Sequence, residues 1–469
     1  MLRTHTCGEL NKNHKDQEAI ICGWVHRRRD HGKLIFIDVR DRYGLTQVVF
    51  VPSVGPQAHQ LAQGLGPEFV VKITGKVGIR PKNNINMNIP TGEVELAATQ
   101  LEILNPALVP VFEIDDNIDP AEESRLTYRY LDLRRPKIAQ NFFVRHKVCQ
   151  TIRNFLSQEN FLELETPILT KSTPEGARDF LVPSRLNPGE FFALPQSPQL
   201  FKQILMVSGM DRYFQIVKCF RDEDLRADRQ PEFTQIDIEM SFGTEEDIFS
   251  LTEAMYKRIF KEIKGIDLVT PFPRLTHAQA MEAYNSDKPD LRKPGEEFAF
   301  VWVVDFPLFK YNSEEKRWES EHHPFTSVKP EDVEAFKKGD LKNVRALSYD
   351  LVLNGNELGS GSVRIHQREM QQKIFEIIGL DQEEAQKRFG FLLKAFEFGA
   401  PPHCGVAYGI DRLVALLCGL DSIRDTIAFP KTQKGNCPMT DAPSVVDEGQ
   451  LRDLGLLTVS SLKKSGSQY

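Results

Sequence analysis

The sequence predicts an α+β protein in which a small, strand-rich N-terminal domain precedes a larger domain that mixes helices and strands. Three observations lead to this fold class. Residues 19–104 contain five strand-like runs and only one short helix-compatible stretch. Residues 141–158 repeat apolar side chains at helical spacing, and residues 233–242 alternate polar and apolar side chains as a half-buried strand does.

Length and composition set the broad class of protein. A chain of 469 residues exceeds one ordinary hydrophobic core, so two or three domains are expected. Its 27% charged and 41% hydrophobic residues are typical of a soluble globular protein, and no apolar run is long enough to cross a bilayer. The net charge of −7 means that any nucleic-acid contact requires a local basic surface. Seven scattered cysteines favour free thiols and a cytoplasmic location.

Residues 1–106 are predicted to form the first domain. Its strand-like runs are 19–26, 34–40, 45–51, 69–80 and 94–104, with a helix-compatible stretch at 57–64. Five strands interrupted there suit an OB-fold barrel, which commonly binds single-stranded nucleic acid. Strand parity places Phe36 on a polar face, where it could stack on an unpaired base, and Arg28 and Arg29 could meet phosphates. The alternative is that Phe36 belongs to the barrel core and the arginines form a solvated edge.

A second domain is predicted to follow a linker. Residues 107–135 form this linker, because Pro110 and Pro120 punctuate it. The helix at 141–158 lies near the start of a domain that we place at 136–430, with a C-terminal extension at 431–469. A strand-like run and Thr166-Pro167 follow that helix. Taken alone, the helix at 141–158 is an ordinary amphipathic helix.

Two arginines in short characteristic phrases indicate the chemistry. Arg221 lies in Phe220-Arg221-Asp222-Glu223, and Arg412 lies in Gly409-Ile410-Asp411-Arg412. The guanidinium group presents a planar fork of donors that matches phosphate oxygens, and it stays charged at any working pH. Two such groups with acidic neighbours suit a site that binds ATP and stabilises the α-phosphate during transfer.

The strand predicted at 233–242 supports a cleft beside these arginines. Its odd positions are mostly polar, including Gln235, Asp237 and Glu239, whereas its even positions are mostly apolar. A polar row on a central strand is costly unless it faces a wet cleft or a ligand. The alternative is a solvated sheet face.

A hairpin is predicted where Asn354-Gly355 separates two apolar runs. This turn places Val352 opposite Glu357, so that Asp350 and Glu357 lie diagonally adjacent, within reach of one Mg²⁺ ion. Arg364 falls on the opposite face by strict parity, and we expect a bulge in residues 359–361 to return it to the site. The alternative is a surface hairpin with an unremarkable acid pair.

Together these phrases resemble motifs 2 and 3 of class II aminoacyl-tRNA synthetases, and the surrounding residues look most like the bacterial-type aspartyl-tRNA synthetases. The helix at 141–158 with the strand and proline after it resembles motif 1, the dimer-forming element. The resemblance implies a homodimer with an anticodon-binding OB-fold and a six- or seven-stranded antiparallel catalytic sheet flanked by helices. It also implies activation of L-aspartate by ATP to aspartyl-adenylate, followed by transfer to the 3′ end of tRNA(Asp).

The same resemblance assigns roles to individual residues. Catalysis is implied for Arg221, Arg412 and Glu357, and Mg²⁺ binding for Asp350 and Glu357. ATP binding is implied for Arg221, Asp222, Glu223, Gln230, Phe233, Glu357, Gly409, Ile410, Asp411 and Arg412. Aspartate binding is implied for Glu175, Gln199, Lys202, Arg221, Asp237, His322, His323 and Arg364. The cations Lys202 and Arg364 favour aspartate, because neutral asparagine would leave their charge uncompensated.

Recognition of tRNA is expected on the N-terminal barrel. Phe36 and Gln47 match positions that contact the central anticodon base, with Arg28 and Arg29 beside them. His31 matches members that also charge tRNA(Asn). An additional contact from Lys82 would act in the other direction and favour discrimination against tRNA(Asn). The sequence leaves open whether tRNA(Asn) is a second substrate.

Two departures from the resemblance are visible. Bacterial-type relatives carry a large inserted domain where this chain has only residues 293–301, and Cys404 replaces a small residue. We expect activity to survive both. The competing interpretations are an asparaginyl or lysyl enzyme of the same subclass, and a non-catalytic paralogue that binds tRNA or single-stranded nucleic acid.

Overall fold

The computed structural model describes residues 1–173, 177–225 and 229–458. The chain divides into two compact units, residues 1–139 and residues 140–469. All seven cysteines are free thiols. Within the described ranges, none of the helices has the length and apolar character needed to span a bilayer.

The first unit contains a closed five-stranded barrel with strand order β1-β2-β3-β5-β4. Its elements are β1 (Glu18–His31), β2 (Leu34–Asp41), β3 (Gly44–Phe50), α1 (Pro56–Ala62), β4 (Val70–Ile79) and β5 (Val94–Asn105). Alternate residues of each strand fill the core; Ile35, Ile37 and Val39 of β2 are buried there. The predicted barrel is therefore confirmed.

Strand β1 is longer than predicted. It continues past residue 26 because a bulge between Val25 and Arg27 bends it, after which it keeps pairing with β2. Arg29 consequently lies opposite Phe36 inside the ladder.

Helices lead out of the barrel. They are α2 (Glu122–Thr127), α3 (Arg129–Asp132) and α4 (Pro136–Gln158). Helix α4 begins five residues earlier than predicted, because a proline suits the first helical position, where its missing N–H costs nothing. Its apolar stripe buries Val148, Ile152 and Leu156 in the core of the second unit.

The second unit is built on an eight-stranded sheet of order β11-β12-β15-β16-β17-β10-β9-β6. The strands after the barrel are β6 (Leu162–Glu163), β7 (Leu181–Pro183), β8 (Phe191–Ala193), β9 (Arg212–Phe220), β10 (Glu232–Ser241), β11 (Arg274–Thr276), β12 (Phe300–Val304), β13 (Phe309–Asn312), β14 (Arg317–Ser320), β15 (Ser348–Leu353), β16 (Asn356–Val363) and β17 (His403–Gly409). The remaining helices are α5 (Gln199–Val207), α6 (Glu245–Lys264), α7 (His277–Tyr284), α8 (Val333–Lys337), α9 (Arg368–Ile377), α10 (Gln382–Phe396), α11 (Ile410–Cys418) and α12 (Glu448–Asp453).

The expectation of six or seven antiparallel strands is wrong in number and partly in direction. Six central strands are antiparallel, but the edge strands β6 and β11 pair in parallel with β9 and β12. Each edge strand is only two or three residues long, too short to show an alternating pattern in sequence.

One face of the sheet packs against helices and the other is polar. On β10, Ile236, Ile238 and Met240 join the core with residues of α4, α6 and α11. Cys404 is buried beside β10, where its Sγ lies 3.6 Å from the Thr244 carbonyl oxygen. The polar residues of β10 therefore project from the opposite face, as their parity predicts.

Candidate active site

A cleft of about 720 Å³ lies on the polar face of the sheet. Many of the residues proposed from the sequence line it, namely Gln199, Lys202, Arg221, Glu223, Gln230, Phe233, Asp237, His322, His323, Glu357, Arg364, Gly409, Asp411 and Arg412. Asp222, Asp350 and Ile410 are not among the lining residues. Glu175 lies outside the described residues.

The two arginines line the same cleft, and the strands that precede them end at the same edge of the sheet. Strand β9 ends just before Arg221, and β17 ends just before α11, which carries Arg412. The Arg221 guanidinium lies 5.0 Å from the ring centroid of Phe233. Arg412 donates to the carbonyl oxygen of Glu357 at 2.5 Å. Two permanent cations and an aromatic ring thus line one cleft, a combination that suits a nucleoside triphosphate.

Two residues expected to bind ATP are also used inside the fold. The side-chain amide of Gln230 donates to the Lys431 carbonyl oxygen at 2.9 Å and accepts from the Lys431 N–H at 2.8 Å. The buried Asp411 carboxylate accepts from the Thr234 N–H at 2.7 Å and from Arg145. These bonds brace the start of β10.

A third such residue, Ile410, belongs to the hydrophobic core. Its side chain is therefore withdrawn from the cleft. Any contact of Ile410 with a nucleotide would have to come from its backbone.

Four buried charges form the floor of the cleft. Lys202 donates to Asp237 Oδ1 at 2.5 Å and lies 3.0 Å from Glu239 Oε2. Arg364 donates to the two oxygens of Glu239 at 2.9 and 3.1 Å. Two cations and two carboxylates balance one another, as buried charges must.

The electrostatics of the two carboxylates differ. Burial raises the pKa of Asp237, and Lys202 offsets this only in part. Burial also acts against the Glu239 anion, but Arg364 and Lys202 outweigh it and lower the pKa of Glu239 to about 2. Glu239 is therefore a permanent anion at neutral pH.

Glu239 is a site residue that sequence reasoning did not propose. It shares strand parity with Asp237, and this signal could have identified it. Its presence corrects the argument that Lys202 and Arg364 form an uncompensated positive pocket, because both cations are already paired. Preference for aspartate over asparagine cannot rest on their net charge.

Two buried polar atoms beside this floor have no hydrogen-bond partner within the described part of the chain. They are Asp237 Oδ2 and Gln199 Nε2, and both residues line the cleft. Buried polar groups are almost always satisfied in proteins, so a pair of unsatisfied atoms at a cleft indicates a ligand.

The adjacent histidines have different environments. His323 Nε2 accepts from Arg364 Nη1 at 2.8 Å, and burial together with the Arg364 charge holds the pKa of His323 well below its usual range. Nε2 of His322 lies 3.3 Å from Asp350 Oδ1. Burial disfavours a charged His322, yet the Asp350 carboxylate outweighs it and raises the pKa of His322.

The predicted hairpin is present with the predicted register. Asn354 and Gly355 both have positive φ, as a two-residue turn of this kind needs, and Val352 lies opposite Glu357. The bulge lies at Leu358 and not within residues 359–361, since Leu351 pairs with Gly359 and leaves Leu358 extra. A bulge so placed puts Glu357 on the face that Arg364 occupies.

The surroundings of the acid pair bear on metal binding. Glu357 Oε2 lies 3.0 Å from Nζ of Lys288, a residue that sequence reasoning did not single out. Over the described ranges, no cluster of three or more His, Cys, Asp or Glu side chains is placed to hold a metal ion.

The barrel presents a separate polar face. Phe36 is half-buried there, and its ring lies 5.8 Å from that of His31. Arg29 donates to Asp38 at 2.7 Å and to Gln47 at 3.3 Å. This face combines an aromatic ring with polar groups that could read a base.

Two other residues proposed for the barrel face lie differently. Arg28 turns away, bonding Asp30 and the Gln63 carbonyl oxygen just after α1. Lys82 is exposed on a short 3₁₀ helix, Lys82–Asn84.

Two protein families match the chain. Residues 19–104 match the OB-fold nucleic acid binding domain, and residues 121–433 match the class II tRNA synthetases (D, K and N). The second match covers well over half of the chain.

Curated relatives match over nearly the full length. The aspartate–tRNA(Asp/Asn) ligase of Oleidesulfovibrio alaskensis is 46% identical over 97% of this chain and 95% of its own. That of Geotalea uraniireducens is also 46% identical, over 97% of this chain and 98% of its own. These alignments extend over 576 and 583 positions, more than the 469 residues of this chain, so the relatives contain residues that it lacks.

Solved structures share the fold. Asparaginyl-tRNA synthetase from Pyrococcus horikoshii, complexed with asparaginyl-adenylate, superposes with a TM-score of 0.74 at 24% identity, covering 92% of this chain and 99% of that one. Aspartyl-tRNA synthetase from Entamoeba histolytica superposes with a TM-score of 0.72 at 22% identity, covering 89% of each chain.

Proposed function

The chain belongs to the class II tRNA synthetases of the aspartate, lysine and asparagine group, and we propose that it activates L-aspartate with ATP and transfers it to tRNA. The observation that carries this proposal is the cleft itself. Arg221 and Arg412 both line it, and so do Asp237 and Gln199, each of which has a buried polar atom left unsatisfied by the described residues.

The first step needs positioning and charge neutralisation, and no covalent intermediate with the enzyme. An aspartate α-carboxylate oxygen attacks the α-phosphorus, and the bond to the bridging oxygen breaks to release pyrophosphate. Arg221 holds the α-phosphate, Arg412 the terminal phosphate, and the Phe233 ring packs on the adenine. Such fixed cations stabilise charge that develops in the transition state.

Binding of the amino acid follows from the unsatisfied atoms. Asp237 Oδ2 accepts from the α-ammonium group, and Gln199 Nε2, which can only donate, faces an oxygen of the α-carboxylate. This uses an acceptor that is buried and unpartnered among the described residues. Glu175 and the two histidines are assigned to the same pocket on the resemblance alone.

Specificity for aspartate follows from the N–H groups of Arg364 and Lys202 that are not used by partners in the described ranges. Among partners in the described ranges, Arg364 uses four of its five N–H groups on Glu239, His323 and Ser362. Lys202 uses two of three on Asp237 and Glu239. The two oxygens of the aspartate carboxylate can accept from the remaining N–H group of Arg364 and the remaining N–H group of Lys202. In asparagine one of these oxygens is replaced by an NH₂ group, which cannot accept and would place its own hydrogens against an N–H donor.

Asp350 and Glu357 fit a Mg²⁺ site that a bound nucleotide completes. Mg²⁺ is commonly held by one or two carboxylates together with substrate phosphates, and this hairpin supplies two carboxylates on one face. The ion would neutralise phosphate charge. His322 and Lys288 would have to give up their present bonds to these carboxylates.

The barrel is proposed to read the anticodon through Phe36, Gln47, Arg29 and His31. Relatives that match nearly the whole chain are named for both tRNA(Asp) and tRNA(Asn), and we extend this dual substrate range to the chain. A cytoplasmic homodimer completes the proposal. The exposed Leu162, Ile168 and Leu169 beyond α4 supply an apolar surface for the subunit contact.

Pyrophosphate exchange with each of the twenty amino acids tests the first step. We expect exchange with aspartate only. Exchange with asparagine or lysine would assign the chain to another member of the group, and exchange with none would favour a non-catalytic tRNA-binding protein. Charging of purified tRNA(Asp) and tRNA(Asn) then tests the second step, where we expect comparable rates.

A further inference from the structure

Lys288 is a cation in the cleft to which neither the sequence motifs nor the mechanism above gives a task. It lies in the segment between α7 and β12, where the Ser286 hydroxyl accepts from the Lys288 N–H at 3.0 Å and Pro289 follows. Its side chain lines the cleft, with the ammonium 3.0 Å from Glu357 Oε2. The lysine is thus held in a defined turn and directed inward.

Glu357 places this ammonium beside the phosphate-binding arginine. Arg412 contacts the backbone carbonyl oxygen of Glu357, and Lys288 contacts its carboxylate. Glu357 is therefore in contact with both cations. A polyphosphate chain bound by Arg412 would therefore pass near the Lys288 ammonium.

Stability does not account for this arrangement. The Lys288 side chain is 41% exposed and that of Glu357 28% exposed. A pair as exposed as this contributes little to the stability of the fold. A polyphosphate carries more negative charge than one carboxylate and offers several acceptor oxygens, so the ammonium gains from moving to it.

We infer that Lys288 is a third cationic contact for the β- and γ-phosphates of ATP, acting beside Arg412, and that Glu357 holds its ammonium in place before the nucleotide binds. This inference rests on the proposed function. When the bond from the α-phosphorus to the bridging oxygen breaks, its electron pair stays on the departing pyrophosphate. A cation already in contact with those oxygens stabilises the leaving group.

The test compares nucleotides that differ in the phosphates Lys288 would touch. Affinities of the full-length protein for ATP, pyrophosphate and AMP are measured by calorimetry at one Mg²⁺ concentration, without aspartate. For Lys288→Met we expect affinity for ATP and pyrophosphate to fall about tenfold or more, as the loss of a charged hydrogen bond implies, with AMP unchanged. Lys288→Arg restores part of the loss.

Lys293→Met is the matched control, because Lys293 is an exposed lysine of the same segment outside the cleft lining. It should bind all three ligands like the wild type. Unchanged ATP affinity in Lys288→Met would overturn the inference, and so would equal losses for ATP and AMP. A wild-type protein that binds no ATP would overturn the proposed function and the Lys288 inference together.

Discussion

Among single residues, Glu239 is the carboxylate that contacts both cations of the cleft floor. Its carboxylate contacts both Arg364 and Lys202 and has no exposed surface. One fully buried side chain thus helps to hold both cations, together with Asp237 at Lys202 and His323 at Arg364. We propose that Glu239 is a positioning residue, which affects aspartate binding through its contact with Arg364.

Replacement of Glu239 by glutamine is expected to lower the free energy of unfolding by about 3–5 kcal/mol, because two buried cations lose a partner. The pKa of Glu239 is lowered from 4.5 to about 2 on folding. Its stabilisation is therefore complete above pH 4.5 and is lost as the pH falls towards 2. Denaturant unfolding should show the difference between wild type and variant shrinking over that range.

The half-exposed Glu232, at the start of the same strand, serves as the control for this prediction. It pairs with Lys431 at 2.8 Å at the surface, so Glu232→Gln should cost less than about 1 kcal/mol. Equal losses for the two variants would mean that burial of the charge is not decisive.

Arg221 and Arg412 are predicted to act on phosphate. Arg221→Ala and Arg412→Ala should each slow aspartate-dependent pyrophosphate exchange about 10²–10³-fold, comparable to removal of one preorganised donor. Thermal unfolding should stay near that of the wild type. Arg292→Ala, an exposed arginine paired with Asp290, is the control and should exchange normally. Near-normal exchange in either cleft variant contradicts the assignment.

At the scale of secondary-structure elements, the close approach of β17 to β10 holds the charged floor together. Gly405 lies opposite Glu239, and a Cβ at Gly405 would lie only 1.9 Å from Glu239 Oε2. The absence of a side chain at Gly405 of β17 therefore makes room for the Glu239 carboxylate on β10.

Gly405→Ala is expected to displace Glu239, destabilising the protein by about 1–3 kcal/mol and weakening aspartate binding. Denaturant unfolding and equilibrium binding of aspartate measure the two effects. Gly78→Ala in β4 is the control, because the nearest described atom to its added methyl is the Glu95 carbonyl oxygen, at 3.8 Å. Unchanged aspartate affinity in Gly405→Ala would show that the floor tolerates a shift of Glu239.

At the scale of the whole molecule, the chain is similar both to longer ligases and to a synthetase chain that it covers almost completely. Its sequence is 46% identical to bacterial aspartate–tRNA(Asp/Asn) ligases, whose alignments run beyond its own length. It also covers 99% of the Pyrococcus horikoshii asparaginyl-tRNA synthetase chain. The additional residues of the bacterial relatives are therefore not needed to complete this fold, and their location at residues 293–301 stays a prediction.

The cleft and the barrel belong to different units, which predicts separable functions. The residues that line the cleft lie between 177 and 423, all within the second unit. A protein of residues 136–469 should keep aspartate-dependent pyrophosphate exchange, while charging of tRNA falls about 10²-fold or more through loss of the second binding module. Circular dichroism checks its folding. Undiminished charging would show that the barrel does not contribute to tRNA recognition.

Local patterns in the sequence determined much of the fold and part of the site. Alternation along residues 233–242 identified the face of Asp237, and Asn354-Gly355 identified the hairpin that sets Val352 opposite Glu357. Such features depend on neighbouring residues, since side-chain period and turn chemistry are local properties of the backbone.

Only the tertiary structure decided which polar groups satisfy one another. The pairing of Glu239 with Arg364, of Gln230 with the Lys431 backbone, and of Lys288 with Glu357 joins segments far apart in sequence. The physical reason is that a desolvated charge or amide must find a partner wherever packing brings one, and no local pattern records that choice. The same holds for β6 and β11, whose few residues become strands only because β9 and β12 offer an edge.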